Sequence, residues 1–213
     1  FEMDNLEQNN DASPRSGGKL ANFTVLGKAG KLGMNPRRGT GGNFSNFIVT
    51  GFGSCLDIDD PATFTAAGAP GSLTGTLTFE NTILNCATNI VENDDAANPD
   101  PWSVTTWFSG QPGNSLGNPN LDGVFPPANA AYLSGYELDP EVYDDFFDKV
   151  DWIGAFRSED RSRAIGAGAG PRISTPSAAL APRAAPARAS PAASASPASS
   201  AETTMRVSSP KGG

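Results

Sequence analysis

The sequence predicts an all-β solenoid, because a short β-branched phrase returns at intervals typical of one coil. The phrase NFTVLG at 22–27 returns as NFIVTG at 46–51, 24 positions later, and a weaker echo, NTILNC, follows at 81–86, another 35 positions on. The chain also carries 24 Gly and 18 Pro, which supply the many turns that stacked coils need. These observations place the coils in the first 156 residues.

The predicted strands follow from β-branched and aromatic runs bounded by Gly and Asn, and they cover 21–27, 44–52 and 73–86. In the third run, Leu77 and Phe79 alternate with Thr78, which is the period of a half-buried strand. Phe1-Glu2-Met3 is compatible with the end of one more strand.

Matching residues at the ends of the repeated phrase predict how the coils turn. Asn22 and Asn46 are expected to stack on each other at a corner. Gly27 and Gly51 are expected to occupy turns that need positive φ.

The rest of the chain divides into four segments. Residues 87–136 form a long excursion expected to fold over the solenoid, and Asp139-Pro140-Glu141 begins a short helix over 140–148. Residues 150–156 are predicted to form a strand. From 157 to 213, Ala, Ser and Pro dominate and large apolar side chains nearly vanish, which predicts a disordered tail.

Composition excludes several functions. The chain has no His, so it has no His-dependent triad and no His-ligated zinc. It has no apolar run long enough for a transmembrane segment. The net charge is −13 over residues 1–156 and +5 over 157–213, which together give −8. An acidic body argues against nucleic acid as a partner, because phosphates repel carboxylates.

A set of phrases occurs in a specific order along residues 1–156: NNDASPRS at 9–16, NFT at 22–24, RRGTG at 37–41, IVTGF at 48–52, CLDID at 55–59 and VDWIGAF at 150–156. Taken together they resemble a family of secreted or cell-surface bacterial right-handed parallel β-helix proteins. The resemblance implies an extracellular or cell-surface, often lipoprotein-like protein that is not known as an enzyme. It also implies that this chain is the C-terminal portion, so that preceding β-helix coils would be its partner.

The resemblance bears on the tail as well. Family members follow the final strand with a Trp-rich phrase, whereas residues 164–171 here read AIGAGAGP. Codons for that octapeptide, in a shifted frame, can spell NWGGGWT. Residues 157–213 are therefore either a natural Pro/Ala/Ser linker or an out-of-frame translation, and resequencing the DNA would separate the two.

Acidic pairs are the first candidate site. Asp57 and Asp59 lie on the same side of an extended strand, about 6.5–7 Å apart, which suits a Ca²⁺ site or a glycosidase carboxylate pair. Asp94 and Asp95 form a second weak Ca²⁺ candidate in an acidic loop. The favoured alternative is a solvated strand end before Pro61 for the first pair and a solvated loop for the second.

Arg37 and Arg38 are the second candidate site, since they suit the clamping of an acidic sugar or the base of a polysaccharide lyase. The favoured alternative is that they pair with the acidic body and fix the Gly-rich turn at 39–42.

Four aromatic residues of the excursion suit a sugar-stacking platform: Trp102, Trp107, Phe108 and Tyr132. The favoured alternative is that they pin the excursion to the coils.

Cys55 and Cys86 are predicted to form a disulfide if the protein is exported. The bond would close a loop of about 30 residues and contribute about 3 kcal/mol. Two buried free thiols in a cytosolic protein are the alternative.

These observations favour a non-enzymatic exported β-helix module with a structural or adhesion-type surface role, with a surface polysaccharide or another cell-surface protein as partner and no cofactor. The alternative is a carbohydrate-active enzyme or carbohydrate-binding module on a pectin-lyase-like β-helix. That alternative depends on Asp57, Asp59, Arg37 and Arg38, with Ca²⁺ as the possible cofactor.

Overall fold

Successive strands of this chain mostly alternate between two sheets, and no described strand pairs with its immediate neighbour in the sequence. The computed structural model describes residues 1–72, 74–93, 95–127, 147 and 150–160, all within the unit Phe1–Arg172. The predicted helix over 140–148 lies almost entirely outside these residues, and Asp94, Tyr132 and the tail from 161 also lie outside them.

The described part of the chain contains these elements: β1 (Glu2–Asp4), β2 (Lys19–Leu26), β3 (Leu32–Arg37), β4 (Gly42–Thr50), β5 (Ser54–Leu56), α1 (Pro61–Ala67), β6 (Leu77–Glu80), β7 (Ile83–Asn85), β8 (Thr88–Ile90), α2 (Val104–Ser109) and β9 (Ser115–Leu116). The predominance of strands confirms the all-β class. Neither described helix is long and apolar enough to cross a membrane.

Both sheets are parallel. The first has the order β1-β3-β5-β8, and the second has the order β2-β4-β7-β9 with β6 also paired to β4. The echo spacings in the sequence are the registers of the second sheet, since Phe23 pairs with Phe47, 24 residues on, and Ile48 pairs with Ile83, 35 residues on. The repeat therefore predicted the strand pairing correctly, while the handedness of the coil stays a prediction.

The corners of the second sheet are marked by asparagines with positive φ. Asn22, Asn46 and Asn81 have φ values of 64°, 59° and 49°, a region that Asn tolerates better than most residues. Asn46 Nδ2 donates to Asn22 Oδ1 over 3.1 Å, so the predicted stack of these two side chains is confirmed.

The two glycines that follow the corner strands differ in what they require. Gly51 has φ of 81°, as predicted. The same prediction for Gly27 is wrong, because Gly27 is not in the positive-φ region. A Cβ at Gly27 would lie 2.1 Å from the ring of Phe52, so the constraint there is space rather than backbone conformation.

Aromatic side chains stack along the strand registers to form the core. Phe44 stacks on Phe79 with ring centroids 4.7 Å apart, and both rings are fully buried. The predicted alternation in β6 is confirmed, because Leu77 and Phe79 are buried while Thr78 and Glu80 are only half-buried. Burial of these rings removes apolar surface from water and so stabilises the fold.

Two predictions about secondary structure are wrong. Residues 150–156 form bends instead of a strand, since Gly154 has φ of 88° and interrupts any extended run. The segment still packs on the second sheet through buried Ile153, which contacts Ile48 and Ile83. The strand expected over 73–86 is divided into β6 and β7 at Asn81, whose φ of 49° breaks the extended run. Pro61 holds the first position of helix α1.

Cys55 and Cys86 form a disulfide with Cα atoms 5.5 Å apart, which confirms that prediction and excludes the free-thiol alternative. The bond links the second residue of β5 to the residue after β7.

Candidate functional site

An open cleft of about 970 Å³ lies beside helix α1. Its walls come from the residues after β3, the residues after β5 with helix α1, and the loop that precedes helix α2: Arg37, Arg38, Ile58, Asp59, Asp60, Pro61, Phe64, Thr65, Gly68, Ala69, Asp95, Ala97, Asn98, Pro99, Asp100, Pro101 and Trp102. No local sequence motif marks the site, because its walls come from segments that are far apart in the sequence.

The first wall is fixed by hydrogen bonds between the turn after β3 and the start of α1. The backbone N–H of Arg38 donates to Asp60 Oδ2 over 2.8 Å. The N–H of Gly39 donates to Thr63 Oγ1, also over 2.8 Å, and this bond is buried. Both bonds hold the helix N-terminus against the first sheet.

The opposite wall is fixed by carboxylates that accept backbone hydrogen bonds. Asn93 and Asp100 bond reciprocally, with Asn93 N–H donating to Asp100 Oδ2 over 2.8 Å and Asp100 N–H donating to Asn93 Oδ1 over 3.1 Å. The hydrogen bond from Asn98 lowers the pKa of Asp95, with a further contribution from the N–H of Ala97, so this carboxylate remains charged near neutral pH.

Glu92 joins that wall to helix α2. Its Oε1 accepts hydrogen bonds from Ser103 Oγ over 2.9 Å and from Thr105 N–H over 2.8 Å. Burial alone would raise the pKa of Glu92, but these hydrogen bonds outweigh it and the pKa is lowered. Ser103 also caps α2 by accepting from Thr106 N–H.

Trp102 is the aromatic surface of the cleft. It is half-buried and packs edge-on against Phe64 with centroids 4.9 Å apart. Trp107 and Phe108 are fully buried, and Trp107 Nε1 donates to Ala67 O over 3.2 Å. Those two residues pin the excursion to the core, as the favoured alternative predicted, so the sugar-stacking interpretation is wrong for them.

Arg37 and Arg38 reach the cleft with their guanidinium groups already engaged. Arg37 Nε lies 2.9 Å from Asp4 Oδ1, and its Nη2 pairs with Glu2. Arg38 Nη1 lies 2.7 Å from Asp4 Oδ2, and its Nη2 lies 3.0 Å from Glu7 Oε1. The predicted pairing with the acidic body is confirmed. The hydrogen bond to Asp4 raises the pKa of Arg37, which makes this guanidinium harder to deprotonate and so less available as a neutral base.

The predicted aspartates are only partly brought together. Asp59 lines the cleft and its Oδ2 accepts from Asn35 Nδ2 over 2.9 Å, whereas Asp57 is not among the lining residues. Asp95 lines the facing wall. Within the described residues, no three Asp, Glu or Cys side chains come close enough to hold a metal ion.

Asp60 and Phe64 are cleft residues whose role the sequence does not predict, whereas Trp102 is one of the predicted aromatic residues and does line the cleft. Asp-Pro before an apolar run is a helix-start signal, so the sequence contains a feature that predicts α1. The charge balance of the cleft depends on that helix, because Asp60 joins Asp59, Asp95 and Asp100 around two arginines that already have carboxylate partners. The cleft is therefore negative overall.

The comparisons with known proteins support the fold. A search of curated proteins and a search of solved structures each returned no match. The family model described as "Pectate-lyase like beta helix domain" matches residues 1–120, more than half of the chain. The two parallel sheets, the register spacing and the cleft edge all lie within or beside that match, and this chain belongs to the pectate-lyase-like beta helix domain family.

Proposed function

We propose that this chain is a non-enzymatic, exported β-helix module that acts in adhesion by holding a surface glycan in the Trp102 cleft. Membership of the pectate-lyase-like beta helix family fits a surface or carbohydrate-related role. The two alternating parallel sheets support a right-handed coil as the scaffold. The Cys55–Cys86 disulfide supports an oxidising, extracellular location.

The observation that carries the proposal is the combination of an aromatic face with arginines that already form ion pairs with carboxylates. Trp102 offers an apolar ring of the kind on which sugar faces stack. Arg37 and Arg38 each direct two of their guanidinium nitrogens to carboxylates, those of Glu2 and Asp4 for Arg37 and those of Asp4 and Glu7 for Arg38. The cleft therefore offers an aromatic face and arginines whose charges are already paired, a combination that favours binding over general-base chemistry.

Cleft charge selects among glycans. Four aspartates line the cleft, and the charges of its two arginines are compensated by residues outside the lining. Such a field repels a uronic acid polymer and attracts an aminated one. We therefore favour neutral or amino-sugar oligosaccharides as ligands over polygalacturonate.

Titration calorimetry with three matched oligosaccharide series, neutral, amino and uronic, tests this proposal. We expect binding in the order amino, neutral, uronic, and a Trp102→Leu variant should bind about tenfold more weakly, a loss of about 1.4 kcal/mol. Trp152→Leu is the matched control, because Trp152 lies outside the cleft lining and packs beneath Arg157. No binding in any series, or equal losses in both variants, would overturn the proposal.

A second candidate is a carbohydrate-active enzyme, and one observation favours it. Arg37, Arg38 and Asp59 converge on one open cleft instead of pointing into separate environments. Calcium would be its proposed cofactor. An assay for new reducing ends and unsaturated products over a polysaccharide panel, with and without Ca²⁺, tests this candidate.

Sustained turnover that Arg38→Lys abolishes and Asp4→Asn preserves would establish the enzyme and refute the binding module. Asp4→Asn is the informative control, because it removes a carboxylate partner of both arginines while leaving the guanidinium groups in place.

A further inference from the structure

The carboxylates that pair with the two cleft arginines come from outside the cleft. Glu2 and Asp4 belong to β1 and Glu7 lies in the turn after it, whereas Arg37 ends β3 and Arg38 follows it. Asp4 and Arg37 are paired residues of these two parallel strands. Neither β1 nor its turn contributes a lining residue. The charge that the arginines present to a ligand is therefore set from the neighbouring strand.

Asp4 differs from the two glutamates because it bridges both arginines. Its Oδ1 lies 2.9 Å from Arg37 Nε, and its Oδ2 lies 2.7 Å from Arg38 Nη1. Glu2 pairs with Arg37, and Glu7 pairs with Arg38. A single carboxylate thus holds one nitrogen of each guanidinium group.

Exposure also separates Asp4 from the glutamates. The side chain of Asp4 is 30% exposed, whereas those of Glu2 and Glu7 are 61% and 62% exposed. Exposed ion pairs contribute little, because salt screens them and ordering two long side chains costs entropy. Asp4 has a shorter side chain and less contact with water. It is therefore the partner that the carboxylate of a ligand would have most difficulty displacing.

The backbone positions of the arginines do not depend on the Asp4 carboxylate. β3, which contains Arg37, is paired to β1 on one side and to β5 on the other. The N–H of Arg38 donates to Asp60 Oδ2 over 2.8 Å. Loss of the Asp4 charge would leave two guanidinium groups at the cleft with unused donors, and a carboxylate is the partner that such donors bind most strongly.

We propose that Asp4 is a specificity-determining residue of the cleft, which excludes uronic sugars by occupying the two arginines that would bind their carboxylates. This inference rests on the proposed glycan cleft and assigns its charge preference to a residue outside the lining. Asp4 acts in two ways, because it uses the donors of Arg37 and Arg38 and because its own charge repels a second carboxylate.

Titration calorimetry on the whole chain with trigalacturonate, and with galactotriose as the neutral reference, tests the proposal. The Asp4→Asn variant should bind trigalacturonate about tenfold more tightly, relative to galactotriose, than the unmodified protein does. Adding Arg38→Gln to Asp4→Asn should remove this gain, because the freed guanidinium is then absent. Asp4→Ser also lacks the carboxylate and should behave like Asp4→Asn, so the test does not depend on the folding of one variant.

The matched control is the double variant Glu2→Gln/Glu7→Gln, which removes two negative charges beside the same arginines and keeps Asp4. It should change the affinity ratio less than threefold. A gain in the control equal to or larger than that in Asp4→Asn would overturn the proposal, because the general negative field would then set the preference.

The outcomes separate this inference from the proposed function. Galactotriose binding without a gain for trigalacturonate in Asp4→Asn and Asp4→Ser would overturn the inference and leave the glycan cleft standing. A gain for trigalacturonate in a protein that binds neither neutral nor amino oligosaccharides would support the role of Asp4 and overturn the proposed function. No binding of any oligosaccharide by any variant would overturn both.

Discussion

A hydrogen bond joins Arg38, which follows β3, to Asp60, which precedes α1, and both residues have positive φ. Arg38 has φ of 53° and Asp60 has φ of 73°, and the Arg38 N–H donates to Asp60 Oδ2 over 2.8 Å. Non-glycine residues in this region cost about 1–3 kcal/mol each and persist where surrounding contacts fix them. Both residues line the cleft, so its wall depends on this bond.

Replacing Asp60 tests that dependence. Asp60→Ala removes the acceptor while keeping a Cβ at positive φ, and we expect the free energy of unfolding to fall by about 1–3 kcal/mol. Asp60→Asn retains an acceptor oxygen and a residue that tolerates positive φ, so it should lose less than half as much. Urea unfolding followed by circular dichroism measures both, and equal losses would contradict the role of the bond.

Alanine substitutions at Gly27 and Gly51 should each destabilise the protein, but for different reasons. Gly27→Ala places a methyl group against the Phe52 ring, whereas Gly51→Ala forces alanine to φ of 81° and should cost about 1–2 kcal/mol. Adding Phe52→Ala should recover part of the stability lost in Gly27→Ala, and none of that lost in Gly51→Ala. A double-mutant cycle from thermal unfolding gives the answer, with additivity in both pairs as the refuting outcome.

The disulfide should be a main contributor to stability. The sequence separation of Cys55 and Cys86 is 31 residues, and loop-closure entropy for such a loop corresponds to about 3–4 kcal/mol. The double variant Cys55→Ala/Cys86→Ala should lose about this much in guanidinium unfolding. Dithiothreitol should destabilise the unmodified protein by a similar amount and leave the variant unaffected, and an equal response of both proteins would count against the prediction.

Acid sensitivity should arise in part at Asp4. Burial alone would raise the pKa of Asp4, but hydrogen bonds from Arg37 and Arg38 and their charges outweigh it, so the pKa lies below its ordinary value of 3.8. A depressed folded-state pKa contributes stability above 3.8 that is lost as pH falls through the folded value. Urea midpoints should therefore stay level from pH 7 to 5 and drop by pH 3. Asp4→Asn should show a smaller drop, and an identical drop would exclude Asp4 as a source.

The repeat predicted pairing well because register is a property of residue spacing. Phe23 and Phe47 are equivalent in sequence and adjacent in the sheet, so one pattern determined both facts. The first sheet was not predicted, since β5 and β8 have three residues each and β3 contains Pro36. Strands this short show no period, and Pro usually argues against a strand with neighbours on both sides.

The sequence predicted the contacts of the site only where charge alone determines which residues pair. An acidic body predicted carboxylate partners for Arg37 and Arg38, and Glu2, Asp4 and Glu7 take that role. The loop that forms the far wall is held by bonds between side chains and backbone groups, as in Asn93 with Asp100. Such bonds follow from the folded path of the chain and leave no periodic trace in the sequence.

The register of the second sheet shifts by 24 residues between its first two strands and by 35 between the next two, yet the asparagine corner has nearly the same φ at each level. The longer interval holds helix α1, which supplies Phe64 and the N-terminal wall of the cleft. The extra residues of the longer interval therefore add one wall of the cleft and buried Phe64 and Ala67 to the core while the corner conformation stays the same. A coil of this fold can thus lengthen between two corners without a change in the corners themselves.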